Sequence, residues 1–173
     1  MIYTKKTPWT LVLGIIMVAY AYMVQAGIME PVIKYLHTSK LVGEMVMLGY
    51  VCGGIAIVVG LLQAFTTPKQ GNFDYYLSAV GGLAFILVIA FIVKWGLDPQ
   101  MGAWGKAAAP TLGFNFASVM NLNYVVMGIV AGIIVVNVFK IPEWAENGVR
   151  MSRLGLKTGV ILLGVLYSWE ELR

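Results

Sequence analysis

The stretch MVMLGYVCGGIAIVVGLLQAFTTP, residues 45–68, contains 24 residues and not one Asp, Glu, Lys or Arg. A helix of about 20 apolar residues, rising ~1.5 Å per residue, crosses a hydrocarbon layer of about 30 Å, so this run is long enough to span a bilayer. Uncharged runs also cover Thr7–Met29, Tyr75–Val93, Ala107–Phe139 and Thr158–Trp169. Four of the five reach spanning length; the last, with 12 residues, reaches it only if Leu154–Lys157 belongs to the same helix. Composition points the same way. The 173 residues are 60% hydrophobic and 12% charged, with a mean hydropathy of +0.82, whereas a soluble domain is about one quarter charged. The expected fold is therefore all-α: a polytopic helical membrane protein with four to five transmembrane helices.

Working outward, the first helix is expected over Trp9–Met29, with Thr7 as N-cap, Pro8 in its first turn and Glu30-Pro31 ending it. The connector Glu30–Glu44 mixes Lys34, His37 and Lys40 with apolar residues and is expected along the headgroups. The second helix starts near Met45 and stops at Thr66-Thr67-Pro68, and the polar turn Lys69-Gln70-Gly71-Asn72 leads to a third over Tyr75–Val93, with Lys94, Trp95 and Gly96 marking its exit. Ala107–Phe139 has 33 residues, about 50 Å as one helix, and must be broken. Pro110, Gly113, Asn115, Asn121 and Asn123 place the break, leaving Leu122–Phe139 as the fourth helix and Ala107–Met120 as an interfacial or re-entrant piece. The domain reading is three N-terminal spans in residues 1–106, and a re-entrant segment plus the start of a core in residues 107–173.

Lys5 and Lys6 followed by an apolar run and Ala19-Tyr20-Ala21 imitate a secretory signal. Apolar character continues to Met29, too far for a signal core, so the segment reads as an uncleaved helix. Cys52 has no partner in the chain and reads as a small packing residue. The net charge of +4 is scattered singly between apolar runs, which speaks against nucleic acid and for topology. On alternate sides of the membrane, Lys and Arg number seven against four, which puts the N-terminus and the Lys140–Lys157 loop in the cytoplasm.

No phosphate-binding loop, zinc motif or paired cysteines occur, so no enzyme and no cofactor are expected. Gly49 and Gly53, Gly128 and Gly132, and Gly155 and Gly159 are G-x-x-x-G pairs, which allow close helix approach in lipid. Arg150, Arg153 and Lys157 recur at spacings of three and four, along one face of any helix that begins in the last loop. Such a stripe attracts anions or snorkels to lipid phosphates. Asn137, near the end of the fourth helix, is an interfacial amide or a ligand to a substrate oxygen.

The run Asn123-Tyr124-Val125-Val126-Met127-Gly128-Ile129-Val130-Ala131-Gly132, then Asn137, Pro142-Glu143-Trp144, Gly148-Val149-Arg150 and Lys157-Thr158-Gly159-Val160-Ile161-Leu162-Leu163-Gly164, resembles the sulfate exporter family of bacterial inner-membrane transporters. The match covers about 50 residues, 122–171. The resemblance implies a glycine-rich, Asn-terminated helix, a Pro-containing basic loop and a K-T-G-x-x-L-L-G helix, with further helices and an S-I-C-G-like segment later in family members. It implies the front part of an inverted-repeat transporter for sulfate or a sulfur-containing anion, with Asn137, Arg150, Arg153, Lys157 and Thr158 along the substrate pathway. The partners it implies are the lipid bilayer, the small anion, and a second copy, a missing C-terminal half or a partner subunit. The competing expectation is a non-transporting membrane scaffold or accessory subunit whose charges only set topology.

Overall fold

The computed structural model describes residues 8–66, 72–120 and 122–171, with only the helix backbone described at 72, 159, 160 and 162–171. Thr7, the turn at 69–71, Asn121 and the surroundings of Gly159 therefore lie outside the described residues. Helix α1 spans Trp9–Gln25, α2 Glu30–Tyr35, α3 Val42–Phe65, α4 Asn72–Ile92, α5 Asp98–Leu112, α6 Phe116–Val119, α7 Tyr124–Ile134 and α8 Glu146–Glu171. The chain is an all-α membrane protein. Ser39–Phe65 and Phe73–Leu112 are long and apolar enough to cross a membrane, and Trp9–Gln25 and Tyr124–Phe139 are shorter apolar helices.

α1 ends earlier than its apolar run. Gly27 takes a left-handed φ of 76° and its N–H reaches the Val24 carbonyl at 3.2 Å, the way a glycine past the last turn closes a helix. Glu30-Pro31 then starts a helix where the sequence suggested a stop. Proline in a first turn gives up no hydrogen bond, and Glu30 pairs with Lys34 at 2.7 Å, which holds its carboxyl below the ordinary value.

α1 and α3 are antiparallel and meet closely through small residues, with Met17 and Met45 also buried there. Thr10, Gly14, Met17, Ala21 and Val24 of α1 lie buried against Met45, Gly49, Gly53, Ala56 and Gly60 of α3. A β-carbon on Gly49 would stand 2.7 Å from that of Ala21, and one on Gly60 2.8 Å from the backbone of Leu11. α4 runs parallel to α1, touching it where Gly81 faces the Thr10 hydroxyl.

The helix does not end at Lys94, Trp95 and Gly96. They belong to a π turn, Val93–Leu97, that joins α4 to α5 in a continuous helix over Phe73–Leu112. The charge on Lys94 is neutralised by Glu44 at 2.7 Å, and Trp95 is 3% exposed, stacked on Phe91 at 4.3 Å and on Tyr20 at 6.2 Å. The break in residues 107–139 falls where the sequence puts it. α5 passes through Pro110 and ends at Gly113, φ 75°; Asn115 caps α6, which folds back on α5, and Asn123 caps α7. The helical hairpin made by α5 and α6 starts at Asp98 instead of Ala107. A second π turn, Val135–Phe139, finishes the fourth apolar helix.

Of the expected basic loop only Lys140–Pro142 is free of helix; a single turn at Glu143–Ala145 leads straight into α8. α8 crosses α4 with Gly148 directly against the backbone of Gly82. Asn147, 1% exposed, donates to the Ser78 hydroxyl at 2.8 Å, and Trp144 stacks on Trp9 at 5.9 Å.

Candidate functional site

The residues singled out by sequence are held within their own helices. The Asn137 amide donates back to the Ile133 carbonyl at 2.7 Å, and the Thr158 hydroxyl to the Leu154 carbonyl at 3.0 Å. Arg150 is paired with Glu146 at 2.6 Å, one turn earlier on α8. Arg153 and Lys157 are exposed and make no ion pair among the described residues. Arg150, Arg153 and Lys157 do ride on one helix that starts in the last loop, but α7 keeps Asn137 on a separate element. Gly128 and Gly132 have open space where a β-carbon would go and line an apolar gap of about 220 Å³ between α4 and α7. Gly155 also has nothing within 4 Å of that position.

The structure brings other polar groups together at the helix break. Lys106 and Gly102 of α5, Asn115 and Ser118 around α6, and Asn123 at the start of α7 line a hollow of about 290 Å³. Local chemistry builds it. The Asn115 carboxamide oxygen accepts from the N–H groups of Ala117 and Ser118 at 3.1 and 3.3 Å, and that of Asn123 from Val125 and Val126, both at 3.1 Å. Each asparagine therefore starts a helix and, by doing so, bends the chain back toward Lys106. Gly105 permits the fold-back, since a β-carbon there would lie 2.6 Å from that of Ala117.

The hollow has one cation in its lining and a carboxylate at the helix start beside it. Lys106 supplies the cation on its wall, while the first-turn N–H groups of α7 are already taken, that of Tyr124 by the Asp98 carboxylate and those of Val125 and Val126 by the Asn123 carboxamide oxygen. Sequence reasoning identified the break through Asn115 and Asn123 but treated Lys106 only as a topology charge. The signal that pointed to Lys106 was its place just before the Pro, Gly and Asn cluster.

Beside the hollow, Lys94 sits 6.0 Å from the centre of the Tyr124 ring while paired with Glu44, and Gln100 donates to the Tyr35 carbonyl at 2.9 Å. These contacts fasten the start of α5 to α2, α3 and α7. Among the described residues no three His, Cys, Asp or Glu side chains converge as a metal site would require.

The chain is similar to a UPF0324 membrane protein of Nitratidesulfovibrio vulgaris, 47% identical over 109 residues that make up 60% of this chain and 28% of that protein. It therefore spans well under half the length of the relative it matches. No family model matches the chain. No solved structure matches it.

Proposed function

We propose that this chain is a membrane transporter, or a portion of one, that moves a small anion such as sulfate or a sulfur-containing anion across the bacterial inner membrane. The observation that carries this reading is the hollow at the helix break. Lys106, Asn115, Ser118 and Asn123 gather there at the N-terminus of an apolar helix. Transport proteins place anionic substrates at such discontinuities, where helix N-termini and bare backbone meet the ligand. The order of motifs from Asn123 to Gly164 supports the same reading.

The chemistry is non-covalent and the protein acts without a cofactor. An anion is drawn to Lys106 on the wall of the hollow, and is then released toward the other side when the helices around the break rearrange. Arg153 and Lys157, exposed along α8, form a second positive stretch at the opposite, cytoplasmic end, where the positive-inside balance also puts the N-terminus. The chain crosses the membrane several times and works with a second copy, a C-terminal half or a partner subunit.

The test is radiolabelled sulfate flux into vesicles containing the purified chain under an imposed ion gradient. Saturable flux that falls about tenfold or more in Lys106→Gln, the loss of roughly one charged contact, and falls again in Arg153→Ala with Lys157→Ala, is the expected result. The alternative reading is a non-transporting scaffold, in which the exposed Arg153 and Lys157 of α8 only set topology. Flux no higher than in protein-free vesicles supports the scaffold.

A further inference from the structure

α1 touches the helix that begins with α4 at Thr10 and Gly81, and again near its other end, where Tyr20 stacks on Trp95. Between these two contacts the space is not filled by protein. A cleft of about 350 Å³ remains, walled by Ile16 and Tyr20 of α1 and by Val88, Ile92 and Gly96 on the α4 side, with Gly49 of α3 as its floor. That volume falls in the ordinary range for small-molecule sites, about 300 to 1,000 Å³. Leu36, on the connector after α2, closes one end.

Water is a poor occupant of this cleft. A buried water needs about two to four polar partners. The Tyr20 hydroxyl points to the Met45 sulfur at 3.8 Å, and the Trp95 indole N–H, although it has no acceptor among the described residues, is itself covered by neighbouring atoms. The cleft also opens sideways between two apolar helices. Ile16 and Ile92 on its two lips are 52% and 59% exposed, and in a membrane protein they face hydrocarbon. Empty space in contact with fluid acyl chains is filled by them.

We propose that this cleft is a phospholipid site, with one acyl chain lying between α1 and α4 against Tyr20, Phe91 and Trp95 and its headgroup at the level of the Glu30–Glu44 connector. The site differs from the general lipid-facing surface in being concave and aromatic. A chain seated there contacts protein on three sides, between the α1 and α4 walls and over the Gly49 floor. The proposal is independent of anion transport, since the cleft and the polar hollow share no lining residue.

Gly96 makes the test clean. It lines the cleft, and a β-carbon there would have nothing within 4 Å, so a large side chain enters the cleft without striking backbone. Gly54 on α3 has the same open space but lies outside the cleft and serves as the control. The purified chain is reconstituted in vesicles of phosphatidylglycerol and phosphatidylcholine containing a phosphatidylcholine with a photoreactive group in its acyl chain. Adducts are mapped by mass spectrometry after irradiation.

The expected result is labelling at Ile16, Val88 and Ile92 several-fold above that on Val51 and Val58 of the outer face of α3. Gly96→Phe removes the excess and leaves α3 labelling unchanged; Gly54→Phe leaves the excess in place. Val88→Trp fills the same space from a position two turns earlier on the same wall and gives the same loss, so the answer does not hang on one variant folding. Cleft labelling no higher than on α3, or undiminished in both filling variants while α3 labelling is normal, overturns the site.

Discussion

Gly53 shows how little freedom a single position has in this bundle. A β-carbon on it would stand 2.8 Å from the Val18 side chain and 2.9 Å from the Gly14 carbonyl oxygen. The oxygen belongs to the backbone of α1 and moves only if the helix moves. Its neighbour Gly54 faces open space. Gly53→Leu is therefore expected to lower stability by about 1 to 3 kcal/mol, the cost of overpacking a tight contact, or to part α1 from α3. Gly54→Leu is expected to stay within about 0.5 kcal/mol of the parent, like an ordinary surface change. Thermal unfolding in mild detergent, followed by helix circular dichroism, separates the two. Equal midpoints for both variants would mean that α1 and α3 do not pack as described. The spacing of Gly49 and Gly53 is visible in sequence, but nothing in that spacing names α1 as the element opposite; Gly14 and Gly60 belong to no G-x-x-x-G pair and are seen only once the helices are laid side by side.

At the scale of the element, strain gathers where the fourth apolar helix ends. Lys140 follows the π turn Val135–Phe139 with φ 60° and ψ 150°, a conformation that glycine alone adopts comfortably. Replacing it removes a steric penalty of order 1 to 3 kcal/mol, partly offset by the greater freedom of glycine in the unfolded chain. Lys140→Gly is expected to raise the unfolding midpoint, by roughly 1 kcal/mol in stability; a lower midpoint would show that the turn is not held in this geometry. The same elements show what sequence can and cannot reveal. Apolar length predicts the four apolar helices, and the Gly113, Asn115 and Asn123 cluster predicts the break, because both follow from local chemistry. The run through Lys94, Trp95 and Gly96 is misread as the end of the helix because its stability is tertiary: Glu44, 50 residues away in sequence, supplies the counter-charge, and Tyr20 and Phe91 cover the indole. The polar hollow is half legible for the same reason. Its asparagines announce themselves as caps, whereas Lys106 joins them only when α6 folds back.

For the molecule as a whole, the decisive arrangement is the crossing of α8 over α4, because it brings the last described helix back against the third apolar one. Gly82 and Gly148 let the two backbones meet, and Asn147 reaches the Ser78 hydroxyl across 69 residues of sequence. A buried amide between helices is held there by its partner, since leaving it unpaired in an apolar setting costs about 1 to 3 kcal/mol. The N-terminal turns of α8 are thus fixed to the bundle, while Arg153, Leu154, Leu156, Lys157 and Thr158 project outward, exposed. This division is testable with paired cysteines in a Cys52→Ser background. Ser78→Cys with Asn147→Cys is expected to join rapidly under a short thiol-reactive cross-linker in intact membranes, whereas Ser78→Cys with Thr158→Cys is not, since more than two helical turns separate Thr158 from the crossing. Cross-linking of the second pair as fast as the first would mean that α8 lies along α4 instead of leaving it. The outward part of α8, with its two cations lacking a described ion pair, would then have to be sought inside the bundle, and the positive stretch assigned to the cytoplasmic end would fall with it.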